Sequence, residues 1–209
     1  LLRLWIDAAS GMEFSRRSPA QQAGMLTAAA LAANELRDPR AARALSDRLT
    51  ALAATDPASA RLARLLSAEL YLAAGAAPQA AALLDANAKT RAEMLLAAQA
   101  AVATRRPEPA VAPLRDWVAA RPRDAGAWQM LAAVYGAQND ALRAVRAAAE
   151  ANVAVLDYAA ARDRFKAAQD MAARGATGAV DHYEASIIDT RARAVDALLR
   201  EQQAEPPLR

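Results

Sequence analysis

The sequence predicts an all-α protein whose short helices fold back on one another as hairpins. Three observations carry that expectation. Alanine supplies 64 of the 209 residues, whereas Val and Ile together supply 12 and Gly 7; alanine loses no side-chain entropy in a helix, while β-branched residues favour strands. Proline recurs at positions 19, 39, 57, 78, 107 and 122, each where a helix can begin, because the first turn has no partner for the missing N–H. The spacing of these prolines leaves about 12–17 residues per helix, and the turns between are so short that neighbouring helices must run antiparallel.

Taken in order, residues 2–14 form a first helix, and 1–18 together read as an N-terminal helix or a linker from an upstream domain. Ser18-Pro19 opens a helix over 19–36, Asp38-Pro39 one over 39–54, and Asp56-Pro57 one over 58–74; in each the Ser or Asp side chain can accept from the free N–H groups of the first turn. Gly75 stands just past the third of these, where a left-handed residue is wanted. Pro78 opens 77–88, and 91–104 follows; Pro107 opens 108–120, and Pro122 precedes 124–137. Helices over 140–156 and 158–174 come next, the second closed by Gly175. The expected organisation is repeats over 19–178, a capping helix over 179–203 and a tail over 204–209 containing Pro206-Pro207.

Composition removes several classes of function. There is no cysteine, so disulfides, thiolate metal sites and thiol catalysis are excluded. His182 is the only histidine, which excludes a histidine-rich metal centre and leaves no expected cofactor. No apolar run reaches the length of a membrane span; the longest candidate, 26–33, is mostly alanine. Net charge is +3 with 24 Arg and 2 Lys, the longest basic runs are the pairs Arg16-Arg17 and Arg105-Arg106, and acids are interleaved throughout. A nucleic-acid surface needs a concentrated basic stripe, so no nucleic-acid partner is expected. Leu1 stands where a complete chain would carry Met, which reads as a fragment or a processed product.

A recurring pattern organises the helices. Trp128-x2-Leu131-x3-Tyr135-x8-Ala144-x6-Ala151 matches the tetratricopeptide pattern at five positions, the small residues falling where two paired helices cross closely. Tyr158-x2-Ala161-x3-Phe165-x2-Ala168 carries the second-helix half, and Tyr71-x3-Gly75-x4-Ala80-x3-Leu84 is a third match. Unit starts near 22, 61, 91 and 125 are followed by one near 142, so helix 140–156 serves as the second helix of one unit and the first of the next. The fold expected is a tetratricopeptide-like solenoid of helical hairpins, a right-handed superhelix, with Tyr71, Trp128, Leu131, Tyr135, Ala144, Ala151, Tyr158, Ala161, Phe165 and Ala168 as packing positions.

Residues 179–203 form the expected cap. Val180, Tyr183, Ile187, Ala194, Val195 and Leu198 fall on one helical stripe, and Asp189/Arg193 and Asp196/Arg200 are acid-first pairs four apart. The last unit of a solenoid exposes an apolar flank that a helix with one polar face must cover. Binding is expected on the face lined by the first helix of each pair. The register puts Leu65, Glu69, Leu72, Gln99 and Gln129 there, with Arg143, Arg146 and Glu150 further along. The face is mostly small and apolar, which suits an extended or helical apolar segment of a client rather than a clamp for a terminal carboxylate.

The segment Asn152-x3-Leu156-Asp157-Tyr158-x2-Ala161, then Phe165-x2-Ala168 and Asp181-His182-Tyr183-Glu184-Ala185-Ser186-Ile187-Ile188-Asp189-x-Arg191, resembles the C-terminal tetratricopeptide region of periplasmic zinc metalloproteases of the BepA (YfgC-like) type, the β-barrel assembly-enhancing proteases. Ile188 stands where that family frequently has arginine, and Thr190 where it has a small residue. The resemblance implies a periplasmic, non-catalytic domain that meets outer-membrane assembly machinery and its clients and hands misassembled proteins to an upstream protease domain. Family catalysis needs H-E-x-x-H, two histidines one helical turn apart on zinc with a glutamate to activate its water. One histidine cannot supply that, so no catalytic residue carries over, and zinc is expected only upstream. A stand-alone adaptor in envelope biogenesis or secretion is the alternative, and an enzyme in its own right is a third class without a motif to support it.

Overall fold

The structure, a computed structural model, describes residues 1–85, 88, 90–175 and 179–204. Among these the chain is all helix and turn: α1 (Leu2–Ala8), α2 (Pro19–Glu35), α3 (Pro39–Ala53), α4 (Pro57–Ala73), α5 (Ala77–Ala82), α6 (Arg91–Ala103), α7 (Glu108–Ala120), α8 (Ala125–Ala137), α9 (Ala141–Ala154), α10 (Tyr158–Gly175) and α11 (Ala179–Ala204), with a 3₁₀ turn at Phe14–Arg16. Residues 176–178 and 205–209, which fall in the expected repeats and tail, lie outside the described residues.

The helix starts follow the capping chemistry. Ser18 and Gln21 form a reciprocal capping box at α2. The carboxylates of Asp38, Asp56, Asp124 and Asp140 each accept from a first-turn N–H of α3, α4, α8 and α9, and Asp157 accepts from Ala160 N–H at α10. The Asp56 carboxyl is held below its ordinary value, first by the Ser59 hydroxyl and then by the Ser59 N–H.

The stops share one device. α2, α4, α8 and α9 end in a left-handed residue at the second position past the helix: Arg37, Gly75, Asn139 and Leu156. In each the following N–H reaches back to a carbonyl five residues earlier: Asp38 to Ala33, Ala76 to Tyr71, Asp140 to Tyr135 and Asp157 to Asn152, at 2.8–3.0 Å. This pairing satisfies carbonyls that the helix end would leave free. The donor residue is at the same time the N-cap of the next helix, so the chain reverses within three residues. Gly175, expected past the end of its helix, is instead the last residue of α10.

Two elements are shorter than the sequence predicts. The first helix stops at Ala8 rather than near 14. Arg48 on α3 donates to the Ala9 carbonyl at 2.8 Å and lies 5.0 Å from the Phe14 ring centre, a side-chain cap that turns the chain. The expected helix over 77–88 ends at Ala82. Leu83 and Leu84 leave it through tight i−3 turns and pack on the cluster of Ala68, Ala80 and Ala100; residues 86 and 87 of that expected helix lie outside the described residues.

The helices gather into two compact units, Leu1–Thr104 and Arg105–Arg209. In the first, consecutive helices pack pairwise from α1 to α6, and alternate helices also meet, α2 with α4 and α4 with α6. Its main core gathers Leu26, Ala29, Ala33, Leu45, Leu49 and Leu70, with Ile6 and Phe14 against it, so residues 1–18 are part of this unit. In the second, α7 to α11 pack in sequence and α9 also meets α11. Its core centres on Phe165, enclosed by Ala149, Ala161, Ala168, Ile188 and Val195. Of the 35 buried apolar residues among those described, 21 are alanine; small side chains let the helix axes approach closely, and the core is correspondingly thin in large groups.

Candidate functional site

The expected packing positions divide into two sets. Leu131, Tyr135, Ala151, Ala161, Phe165 and Ala168 are buried. Tyr71, Trp128, Ala144 and Tyr158 are half-buried. Trp128 is a turn clamp: its ring N–H donates to the Pro122 carbonyl at 3.0 Å. Trp117 works from the other side of the same turn, donating to the Asp124 carboxylate at 2.9 Å while Arg121 lies over its ring at 3.9 Å. Burial raises the Tyr135 hydroxyl above its ordinary value, against the nearby charges of Arg115, Arg146 and Arg143.

The residues expected on a binding face also separate. On α4 and α6, Glu69 and Gln99 are exposed and Leu65 is half-buried. Leu72 is half-buried and packs against the cluster formed by Ala68, Ala80 and Ala100. Gln129 on α8 is exposed.

Arg143, Arg146 and Glu150 on α9 are engaged by α11. Arg191 places its Nε 2.6 Å and an Nη 2.7 Å from the two carboxylate oxygens of Glu150. Arg146 donates to Glu184, which also lies 3.5 Å from Arg143 Nε, while Arg143 donates to Asp140 as well. Glu150 and Glu184 are 7% and 5% exposed, so these ion pairs are interior contacts between helices. Donation to Glu150 raises the Arg191 guanidinium above its ordinary value against the effect of burial. With Gln202 donating to the Leu156 carbonyl, residue numbers rise together along both helices, so α9 and α11 are parallel, with α10 returning between them.

The same arrangement occurs in the first unit. Arg61 on α4 grips Glu93 on α6 through two bonds of 3.0 and 2.6 Å, Arg64 adds a third at 3.3 Å, and Thr90 donates to the same carboxylate at 2.8 Å. Glu93 is 7% exposed. Arg61's bonds hold its carboxyl below the ordinary value, more than offsetting the loss of hydration. Ala68 and Ala100 sit in one cluster further along the two helices, so α4 and α6 are parallel too. A pair of arginines three residues apart on one helix therefore clamps a buried glutamate on the next-but-one helix, once in each unit. A buried charge needs this degree of pairing to be tolerated.

The stripe expected on α11 is buried only in part: Val195 is buried, and Ala194 and Leu198 are half-buried. Tyr183 and Ile187 are exposed, and the buried face runs through Glu184, Ile188, Ala192, Val195 and Leu199; the side chain of Val180 lies outside the described residues. The difference follows from the ion pairs, since Glu184 belongs to the inner face although its type marks it as outer. Asp189 accepts from Gln169 on α10 at 2.8 Å, and Arg193 donates to the Asp189 main-chain carbonyl rather than its carboxylate. His182 is exposed.

The first unit also contains a pocket of about 200 Å³ between α3, α4 and the start of α5, with Arg40, Arg43, Asp47, Ser67, Tyr71 and Gln79 among its walls. Among the described residues no group of three or more His, Cys, Asp or Glu could hold a metal ion. Among them too, no helix is long and apolar enough to cross a membrane. Neither a scan against known protein-family models nor a search of curated proteins finds a match to this chain.

Proposed function

We propose that this chain is a tetratricopeptide-like solenoid serving as a non-catalytic polypeptide-binding domain, belonging to an exported zinc metalloprotease of outer-membrane protein quality control. The observation that carries the reading is the parallel, side-by-side packing of alternate helices, α4 with α6 and α9 with α11, each pair bridged by the helix between. Helical hairpins stacked in this way present rows of first helices to a partner. Burial of Leu131, Tyr135, Ala151, Ala161, Phe165 and Ala168 agrees with the repeat pattern. The surface available to a client is narrower than the register implies: Leu65, Glu69 and Gln99 in the first unit and Gln129 in the second, with α11 acting as a cap over Arg143, Arg146 and Glu150. Periplasmic location, contact with assembly machinery and its clients, and zinc in an upstream domain rest on the resemblance of residues 152–191.

The coding sequence upstream of Leu1 tests the assignment. An H-E-x-x-H helix there supports the protease reading. A signal peptide leading directly into the repeats overturns it in favour of a stand-alone adaptor.

A further inference from the structure

Arginine pairs spaced three apart occur inside three helices: Arg40/Arg43 on α3, Arg61/Arg64 on α4 and Arg143/Arg146 on α9. Two of the three hold a glutamate carboxylate presented by another helix, Glu93 and Glu184 respectively. The third has no carboxylate partner among the described residues: neither Arg40 nor Arg43 forms an ion pair there, and Arg43 lies over the Tyr71 ring, 5.3 Å from its centre. It is also the pair that borders the open pocket. We infer that the Arg40/Arg43 pocket is a docking site for a glutamate side chain of a partner polypeptide.

The geometry of the pocket suits that occupant. Leu70 on α4 and Ala74 just past its end provide apolar surface for the methylenes of a glutamate, and Arg40 and Arg43 line the same pocket and can meet its carboxylate. The Ser67 hydroxyl lies 2.9 Å from the Ala63 carbonyl and 2.7 Å from the Ser46 hydroxyl, so the two serines are engaged with each other and with the main chain. The arginines are the cationic groups the pocket offers to an anion. Asp47, one turn beyond Arg43, also lines the pocket; it disfavours a second acid and favours an N–H or a basic side chain next to the glutamate. Arg43 already lies against the Tyr71 ring, 5.3 Å from its centre, so less side-chain freedom is lost when it binds than for a free arginine.

This inference rests on the polypeptide-binding reading, and the test separates the two. The full-length chain is applied to an array of random 12-residue peptides, alongside Arg40→Gln/Arg43→Gln and the control Arg16→Gln/Arg17→Gln. All four arginines are exposed, and circular dichroism checks that each variant keeps its helix content. The expected result is enrichment of glutamate at one fixed position of the captured peptides, with signal for those peptides falling about tenfold in Arg40→Gln/Arg43→Gln and unchanged in the control. Capture without a glutamate preference, or an equal fall in both variants, overturns the site and leaves the binding reading standing. No capture of any peptide overturns both.

Discussion

Arg191 on α11 and Glu150 on α9 form a two-pronged ion pair at 2.6 and 2.7 Å across 41 residues of sequence, with Glu150 7% exposed. The pair joins two parallel helices that α10 holds apart in the chain, and it converts what reads as a free polar face into an interior contact.

Removing one partner leaves the other charged and poorly solvated. Arg191→Ala should lower stability by about 2–3 kcal/mol, below the value for a fully buried pair because the Arg191 side chain is 36% exposed. Urea unfolding measures it, and a double-mutant cycle with Glu150→Ala should return a favourable coupling. A loss under about 0.5 kcal/mol would place the pair among surface contacts.

Phe165 is fully buried among alanines and Ile188, whereas Trp128 is half-buried with its N–H on a turn carbonyl. Phe165→Ala should cost about 3–5 kcal/mol. Trp128→Ala should cost about 1–2 kcal/mol, one hydrogen bond and part of a ring surface. Thermal or urea unfolding ranks the two, and the reverse order would contradict the packing described.

Arg37 ends α2 with φ at +57° and is exposed. A residue with a Cβ is strained there and glycine is not. Arg37→Gly should raise stability by about 0.5–1 kcal/mol, as read from the urea midpoint, because the relief of that strain exceeds the entropy that glycine adds to the unfolded chain. A destabilised variant would mean that Arg37 contributes a contact of its own.

Glu93 ionises more readily in the folded protein than its ordinary 4.5, chiefly through Arg61. A carboxyl with a depressed folded pKa contributes stability that is complete above its unfolded pKa and is lost as pH falls through the folded value. Stability should therefore decline as pH drops below about 5, and the decline should be shallower in Glu93→Gln. Parallel pH profiles for the two proteins would remove the Arg61–Glu93 clamp as the cause.

Much of the architecture is legible in the sequence because its signals are local. Proline with a preceding Ser or Asp marks Pro19, Pro39 and Pro57 as helix starts, and each is the first residue of its helix. The helix stops are less visible, because Arg37, Asn139 and Leu156 take the left-handed conformation that sequence reasoning assigns to glycine. The stop of α1 depends on Arg48, more than thirty residues away, and no local pattern records it. The face of α11 is misread for a related reason: hydrophobic periodicity counts Glu184 and Arg191 as outward, while the ion pairs with α9 turn them in. Arg143, Arg146 and Glu150 lie on the expected helix, and there they pair with Glu184 and Arg191 of α11. The repeated Arg-x-x-Arg spacing is present in the sequence, but only the positions of Glu93 and Glu184 give it meaning.

The central claim is that these helical hairpins bind non-native polypeptide. Fluorescence anisotropy of a dye-labelled β-barrel outer-membrane protein, diluted from urea into increasing amounts of the full-length chain, tests it most directly. The account predicts saturable binding in the micromolar range, with no competition from the same barrel folded in detergent. An anisotropy that stays flat across the titration, or equal binding of the folded barrel, would contradict it.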